Sequence, residues 1–401
     1  MRKEDYFNSV TDQVLALREM NPIQADKCFD FEKLQSVFPA EAAGKIRRVI
    51  VTGCGDSYSA AGAMLKGMRR LSGLRDLNSP DIMDFCRFYT DEKIYKGFRP
   101  EEVLLVAISF SGGSERVAEA LQRGAQKGIH ALLITRNSES KSAQAAGYVF
   151  NVETPEGCNT PGLRSYFASL MGLAAMGAYL GVCNGNLTAD AFIRTKTQIV
   201  DYVASFMADI EKVDDQMFAL AQQVKDYRRF EMIADGNEGY SAQFVEQKFI
   251  ECGGVYADHT TSEEFAHISI FFRQPETYVT VVMVNRADPS LKRMKDTVDG
   301  CLKQHRPTLV VTDVEADYFR VNTGGVDPSV NIYGRTPVWY DSSAEAGTAV
   351  VCRIPTAPQQ WMSPFVDFLP GSLLAGYQAA VNERHFFGGR YDFRAQTWNR
   401  G

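Results

Sequence analysis

The stretch that decides the fold is residues 103–115, which read Val-Leu-Leu-Val-Ala-Ile-Ser-Phe-Ser-Gly-Gly-Ser-Glu. Its first six residues form a short apolar run, which is typical of a strand buried on both faces of a parallel sheet. Apolar residues then recur at helical spacing from Val117 to Ala125, and residues 131–135 make a second apolar run. The stretch therefore predicts one strand–helix–strand unit, with a loop rich in serine and glycine where the helix begins.

The loop between this strand and helix has the composition of an anion site. It carries the hydroxyl groups of Ser109, Ser111 and Ser114, and it enters a helix whose first turn offers free backbone N–H groups and the positive end of the helix dipole. Gly112 and Gly113 let the backbone approach a bound phosphate closely. A serine-rich turn before a helix is also the usual form of an N-cap, so the loop alone leaves both interpretations open.

Residues 108–115, together with the run Leu-Ile-Thr-Arg-Asn-Ser-Glu-Ser at 133–140, resemble the signature of the sugar isomerase (SIS) domain family of phosphosugar-binding proteins. In that family the serine loop holds the phosphate of the sugar. The resemblance implies a flavodoxin-like α/β fold. It also implies that the substrate-binding residues of this loop are Ser109, Phe110, Ser111 and Ser114.

A similar turn follows an earlier apolar run. Residues 47–52 end in the turn Gly-Cys-Gly-Asp-Ser-Tyr at 53–58, and ligands of open parallel sheets bind at the carboxyl ends of strands, so this turn and the serine loop could face one crevice. The turn resembles the first loop of SIS proteins, which implies substrate contacts from Gly55, Asp56 and Ser57. Because a carboxylate repels a phosphate, Asp56 is expected to contact a sugar hydroxyl or a cationic part of the substrate. The break at Thr160 before a long apolar helix also resembles the family and adds Thr160 to the sugar site.

Length and composition bound the class of protein. A chain of 401 residues is long enough for two α/β domains, and 45% hydrophobic with 23% charged residues is typical of a soluble globular protein. The net charge of −6 and the scatter of the basic residues argue against a nucleic-acid partner. We find no apolar run of membrane-spanning length and no signal-peptide core, so a cytoplasmic protein without a membrane partner is expected. The eight cysteines contain no Cys-x-x-Cys pair, which argues against a zinc site and a disulfide framework.

Two loosely similar halves follow from the order of apolar runs, helical patterns and glycine-rich turns. They predict an α/β fold with two doubly wound parallel-sheet domains in tandem, joined by a helical connector. In the second half the strand patterns are residues 230–235, 277–284, 308–312 and 349–354. The predicted organisation is an N-terminal helical segment at 1–44, a first SIS domain at 45–187, the connector at 188–226, a second SIS domain at 227–360 and a C-terminal helix and tail at 361–401.

The candidate catalytic stretch lies in the second half and runs from Lys248-Phe-Ile-Glu251 to Glu264-Phe-Ala-His267. Lys248 and Glu251 stand one helical turn apart, a spacing at which side chains share a helix face and commonly form a solvated ion pair. His267 is one of only five histidines, and imidazole is the side chain best suited to move protons near neutral pH. Taken alone, each of these residues is also compatible with a structural role.

Glu251 and His267 are sixteen residues apart. In this register the two motifs resemble the isomerase domain of glucosamine-6-phosphate synthase and the fructosamine-6-phosphate deglycases of the SIS family. The resemblance implies that Glu251, with Lys248 beside it, is the base that moves a proton between C1 and C2 of an opened phosphosugar. It also implies that His267 assists ring opening in the site of a neighbouring subunit, and hence that the protein is a homodimer.

The C-terminal sequence differs from that of the synthase-like enzymes, and the difference argues against imine chemistry through a lysine of the tail. The synthase-like enzymes end in an Arg-Asn-Leu-x-Lys tail whose lysine enters the sugar site, whereas this chain has no lysine after Lys303. We therefore predict an enzyme that uses neither metal nor cofactor and splits a fructosamine 6-phosphate into an aldose 6-phosphate and a free amine. Two alternatives stay open: an aldose–ketose phosphosugar isomerase, and a phosphosugar sensor without turnover, which would not need the Glu251/His267 pair.

Overall fold

The structure is a computed structural model, and it describes residues 2–158, 160–319 and 349–388. The chain divides into two compact units. The first unit comprises the described residues of 9–210 and 357–366, and the second comprises those of 2–8, 211–356 and 367–388. The helical connector predicted at 188–226 is thus divided between the two units. The part of the predicted tail beyond residue 388 lies outside the described residues.

The first unit is built on a parallel sheet of five strands. They are β1 (Arg48–Gly53), β2 (Asp76–Asn78), β3 (Val103–Ile108), β4 (His130–Thr135) and β5 (Tyr148–Asn151). Their order in the sheet is β2-β1-β3-β4-β5, which is the order of flavodoxin-like doubly wound sheets. The helices are α1 (Ser9–Cys28), α2 (Phe31–Val37), α3 (Ala40–Lys45), α4 (Asp56–Ala63), α5 (Leu65–Ser72), α6 (Asp91–Tyr95), α7 (Glu115–Gln126), α8 (Lys141–Ala145), α9 (Arg164–Cys183) and α10 (Ala189–Met207).

The predicted strand–helix–strand unit is confirmed in β3, α7 and β4. Every residue of β3 is buried, as the uninterrupted apolar run requires of a strand covered on both faces. Alternate residues of β3, beginning with Val103 and Leu105, belong to the same core cluster as Val117 and Leu121 of α7. The serine loop is therefore fixed at both ends by buried elements.

The second unit repeats this architecture. Its parallel strands are β6 (Arg229–Ala234), β7 (Tyr256–Thr260), β8 (Tyr278–Met283), β9 (Thr308–Thr312) and β10 (Val350–Arg353). They lie in the order β10-β9-β8-β6-β7. If β6 to β10 are numbered 1 to 5, the order read from the β7 edge is 2-1-3-4-5, as in the first unit. The helices are α11 (Ile210–Gln223), α12 (Glu238–Gly253), α13 (Ser262–His267), α14 (Leu291–Lys303) and α15 (Phe368–Ala380). The α/β class and the two parallel sheets are thus as predicted.

Two edge strands and one helix break were not predicted. β2 contains a single apolar residue, and it is held by Arg48, whose buried guanidinium pairs with Asp76. β7 reads Tyr-Ala-Asp-His-Thr, a polar strand that pairs only along β6. The chain after the turn at 53–58 forms two short helices, α4 and α5, because the backbone at Met64 leaves the helical region with φ −90° and ψ 0°.

By length and composition alone, one helix among the described residues, α9, could cross a membrane. This helix, Arg164–Cys183, has the length and hydropathy of a membrane span, but 89% of its most apolar 18-residue window is buried inside the protein. Its side chains fill the core of the first unit, which explains why so few of them are polar.

A buried ion pair occupies the interior of the second unit. Arg306 pairs with Glu231 of β6, and both side chains are essentially inaccessible to solvent. Ser269 donates its hydroxyl to the other oxygen of Glu231, and the guanidinium lies 5.2 Å from the ring centroids of Phe265 and Tyr278. Each charge is thus neutralised only by its partner, because neither reaches water.

We expect Asp258→Asn to stabilise the protein progressively between pH 4 and pH 7. Desolvation, reinforced by the negative charge of Glu231, raises the pKa of Asp258 in the folded protein to about 6. Between the unfolded and folded pKa values the folded state holds one more proton, so the wild-type protein loses stability as pH rises through this window. The variant lacks this loss. Urea unfolding of both proteins at pH 4, 5, 6 and 7 measures the difference, and a difference that is constant with pH would contradict the expectation.

Candidate functional site

The loops after β1 and β3 meet at the carboxyl edge of the first sheet. These two strands flank the point at which the strand order reverses, where open α/β sheets form a ligand crevice. The sulfur of Cys54 in the first loop lies 3.6 Å from the hydroxyl oxygen of Ser114 in the second. The structure therefore brings together the two loops that the sequence motifs singled out.

Hydrogen bonds fix the shape of the serine loop. Ser114 caps α7, since its hydroxyl oxygen accepts a bond from the backbone N–H of Val117 at 3.4 Å. The Ser111 hydroxyl oxygen accepts from the backbone N–H of Gly113 at 3.3 Å, and Ser111 is exposed. A hydroxyl that accepts one bond can still donate its proton. The N-cap interpretation is thus correct for Ser114, and the hydroxyl proton of the exposed Ser111 remains available to an anion.

The two other predicted residues of this loop have positional roles. Ser109 is buried, and its backbone N–H donates to the carbonyl of Ile134 in β4 at 3.1 Å. The carbonyl of Phe110 accepts from the backbone N–H of Arg136 at 2.9 Å, and the Arg136 guanidinium lies 5.8 Å from the Phe110 ring centroid. This places one guanidinium beside the serine loop.

Gly112→Ala is expected to weaken binding of a sugar phosphate by at least about tenfold. Gly112 has φ +71°, and an added Cβ would lie 2.0 Å from the Ser140 hydroxyl oxygen, so the loop must rearrange. The matched control is Gly113→Ala, because its Cβ would meet nothing closer than 3.7 Å. Calorimetric titration with fructose 6-phosphate compares the two variants, and equal affinities would show that the loop conformation is irrelevant to binding.

A third segment, the turn before α9, lies beside the loop that follows β1. An added Cβ on Gly162 would lie 2.7 Å from a carboxylate oxygen of Asp56 and 2.7 Å from the hydroxyl of Ser165, so Asp56 is directed toward this turn. Thr160 is exposed two residues earlier, and Gly55 is the N-cap residue of α4 with φ +55°. Ser57 lies in the first turn of α4. All eight predicted substrate-binding residues therefore stand at one edge of the first sheet.

Cys54 lies between the two loops through its contact with Ser114, although it is not among the predicted substrate-binding residues. Desolvation raises the pKa of its thiol, while the hydrogen bond with Ser114 and the charge of Arg116 act in the opposite direction. Its position between two glycines of the turn was the signal that pointed to it. A neutral thiol here does not repel an anion.

Lys248 and Glu251 lie together on α12 in the second unit. Their side chains form an ion pair in which the Lys248 side chain is fully buried and that of Glu251 is 26% exposed. The Lys248 ammonium also lies 4.6 Å from the ring centroid of Phe244. The alternative of a solvated ion pair is therefore wrong for the lysine. A buried cation holds the carboxylate in place while that carboxylate keeps access to solvent.

His267 stands apart from this pair in its contacts. Its Nε2 lies 3.1 Å from Glu263 on the same helix, the other oxygen of Glu263 accepts from Arg293 at 3.0 Å, and 69% of the His267 side chain is exposed. A second histidine, His259 of β7, pairs with Glu246 of α12. The structure thus brings Lys248 and Glu251 together and places His267 on an exposed helix. No group of three or more potential ligands among the described residues is arranged to hold a metal.

The equivalent crevice of the second unit is filled by carboxylic acids. Glu238, the first residue of α12, is fully buried and accepts a hydrogen bond from Asn285, in the loop after β8, at 2.9 Å. Desolvation and repulsion from Glu238 raise the pKa of Asp367, which is also buried, well above its ordinary value. Acidic side chains at this position disfavour a phosphate. Among the described residues, the two switch points therefore differ: hydroxyl groups border the one in the first unit, whereas buried acids border the one in the second.

Comparison with solved structures finds the same fold in several proteins. The C-terminal domain of glucosamine-fructose-6-phosphate aminotransferase from Francisella tularensis superposes with a TM-score of 0.76 at 16% identity, covering 96% of this chain and 99% of that one. Tagatose-6-phosphate ketose/aldose isomerase from Escherichia coli gives a TM-score of 0.64 at 13% identity, covering 93% and 92%. Glucosamine-6-phosphate deaminase from Thermotoga maritima gives 0.58 at 14% identity, covering 94% and 96%.

No family model and no curated protein matches the sequence. The likeness extends over nearly the whole length of the chain and of its structural neighbours, at identities at which only the fold is established. The predicted resemblance to the SIS-domain family is therefore confirmed by the fold, and the chain has the architecture of SIS-domain phosphosugar proteins.

Proposed function

We propose that the protein is an enzyme that processes a phosphosugar, and that it splits a fructosamine 6-phosphate into an aldose 6-phosphate and a free amine. The observation that carries the proposal is the serine loop at the switch point of the first sheet, where hydroxyl protons and the start of α7 converge. The structural neighbours support the substrate class, because the names of all three specify a sugar 6-phosphate.

The binding roles follow from the chemistry of the edge residues. Ser111 and Ser114 donate hydroxyl protons to the phosphate, and the first backbone N–H groups of α7 add directional donors. Asp56, which is directed toward the turn before α9, holds a hydroxyl or the ammonium group of the substrate and stays clear of the phosphate. Thr160 and Ser57 border the sugar.

The proposed reaction needs one proton shuttle and one water. Glu251 removes a proton from C1 of the open-chain substrate, which gives an enaminol, and a proton returned to C2 gives an imine at C1. Water adds to this imine, the C–N bond breaks, and the amine leaves as the aldehyde forms. Lys248 fixes the carboxylate through the ion pair. We propose that His267 assists ring opening, and its exposure suits action in the site of a second copy of the chain.

Isomerisation between an aldose and a ketose phosphate is the second candidate, because it uses the same proton transfer without the hydrolysis. The ketose/aldose isomerase among the structural neighbours favours it as much as the deaminase favours the first candidate. A sensor without turnover is the third, and the buried lysine that fixes Glu251 argues against it. Residence in the cytoplasm and assembly as a homodimer complete the proposal.

Incubation of the purified chain with two substrates separates these candidates. Fructosamine 6-phosphate should yield glucose 6-phosphate and free amine in equal amounts, measured by a coupled dehydrogenase assay and by amine derivatisation. Turnover of fructose 6-phosphate without amine chemistry would assign the isomerase. Tight binding of both compounds with no turnover of either would assign the sensor and overturn the enzymatic proposal.

A further inference from the structure

A polar cleft of about 280 Å³ lies in the first unit away from the serine loop. It is formed by α5, α10, the loop between α9 and α10, and the segment 357–366. The polar residues that line it are Arg70, Asn186, Arg194, Thr195, Gln198 and Gln359, over an apolar floor of leucine and alanine. Nothing in the proposed reaction uses this cleft.

The cleft and the phosphosugar site are at opposite ends of α9. That helix begins after the turn that contacts Asp56 and runs for 20 residues to Cys183, which spans ~30 Å. Asn186 follows its far end. A ligand in the cleft therefore leaves the serine loop free, and the two sites can be tested independently.

Two guanidinium groups in the cleft have no acidic partner. Arg70 and Arg194 are exposed, and neither makes a hydrogen bond or ion pair with any residue that the structure describes. By contrast Arg69, the neighbour of Arg70 on α5, donates to the carbonyl of Leu77 at 3.1 Å. Asp190 of α10 is the nearby acid in sequence, and it is exposed and does not line the cleft. Two arginines at one concave surface suit the planar, bidentate recognition of oxyanions.

The amide side chains of the cleft are held in fixed orientations. Gln359 donates to Gln198 at 3.1 Å, and the indole N–H of Trp361 donates to Gln359 at 3.0 Å. Asn186 donates to the carbonyl of Leu71 at 2.8 Å. The cleft is thus positive and preorganised before a ligand arrives.

We propose that this cleft is a second binding site of the protein, for a small metabolite that carries phosphate or carboxylate groups. The two arginines bind its oxyanions, and the amides bind hydroxyl or amide groups on its remainder. The size of the cleft fits a metabolite and excludes a macromolecular ligand as the occupant of its interior.

Calorimetric titration of the full chain with inorganic pyrophosphate and, separately, with citrate tests the proposal. The titrations use a Ser111→Ala/Ser114→Ala background, so that binding at the serine loop does not contribute. Arg70→Gln/Arg194→Gln in this background should weaken binding of at least one probe by about 100-fold. The probe that responds distinguishes a phosphate ligand from a carboxylate ligand.

The matched control is Arg75→Gln, an exposed arginine of the first unit outside the cleft, which should leave both affinities unchanged. Thermal unfolding of each variant confirms that the exposed substitutions leave the fold intact. The proposal is overturned if neither probe binds the background protein below ~1 mM, or if the double arginine variant binds both probes as tightly as its parent. Failure of the deglycase reaction has no bearing on this result.

Discussion

Glu251→Gln is expected to lower kcat by ~10²–10⁴-fold while KM changes little, because positioned general bases contribute about this much to proton transfer. The amide retains the size of the carboxyl group but cannot accept the C1 proton. Since the phosphate is held by other residues, the variant should still bind fructosamine 6-phosphate. Initial rates of amine release over a range of substrate concentrations separate the two parameters.

The matched control is Glu276→Gln, an exposed carboxylate of the second unit that lies outside α12. It should retain full activity. Lys248→Met should reproduce part of the loss, since it removes the cation that fixes Glu251. An E251Q enzyme that keeps its wild-type kcat would remove Glu251 from the mechanism, whatever its effect on binding.

Arg306→Met is expected to reduce the free energy of unfolding by ~3–5 kcal/mol, the usual cost of leaving a buried charge without its partner. The variant leaves the carboxyl group of Glu231 in β6 without its cation in an interior that water does not reach. Amide hydrogen exchange of β6 and β8 measures the loss in the second unit itself, and urea unfolding measures it for the chain.

Two further variants make this expectation specific to the ion pair. Arg273→Gln, an exposed arginine of the same unit, should change stability by less than ~0.5 kcal/mol. Glu231→Met/Arg306→Met should recover part of the loss, because removing both charges abolishes the uncompensated one. If R306M alone costs less than ~1 kcal/mol, the guanidinium does not neutralise Glu231 in the folded state.

The fold could be predicted from sequence wherever burial is complete. β3 and β9 match their predicted bounds. All six residues of β3 are apolar, and β9 has three apolar residues between two threonines. β2 and β7 were missed because an edge strand needs few apolar residues, and their positions depend on partners distant in sequence, such as Arg48 for β2. The break at Met64 lies between Ala63 and Leu65, both of which favour a helix, so its immediate neighbours give no sequence signal for it.

The candidate site was predictable to the extent that it consists of contiguous motifs. The loops at 53–57 and 109–114 were found because each is a contiguous motif that resembles a loop of the SIS family, although glycine and serine are also common in ordinary turns and N-caps. The burial of Lys248 was not predictable, since an i to i+3 Lys/Glu pair reads as a surface pair until the packing of α12 is known. The difference between the two crevices was not predictable either. Glu238 is buried against Asn285, which donates a hydrogen bond to it and lies 47 residues away in the sequence.

The central claim is that the first unit holds the phosphate of a sugar at the start of α7. A crystal structure of the full chain with fructose 6-phosphate tests it most directly. The account predicts the phosphate at hydrogen-bond distance, ~3 Å, from the hydroxyls of Ser111 and Ser114. A phosphate bound at the switch point of the second unit beside Asn285 and Glu238, with the serine loop empty, would contradict it.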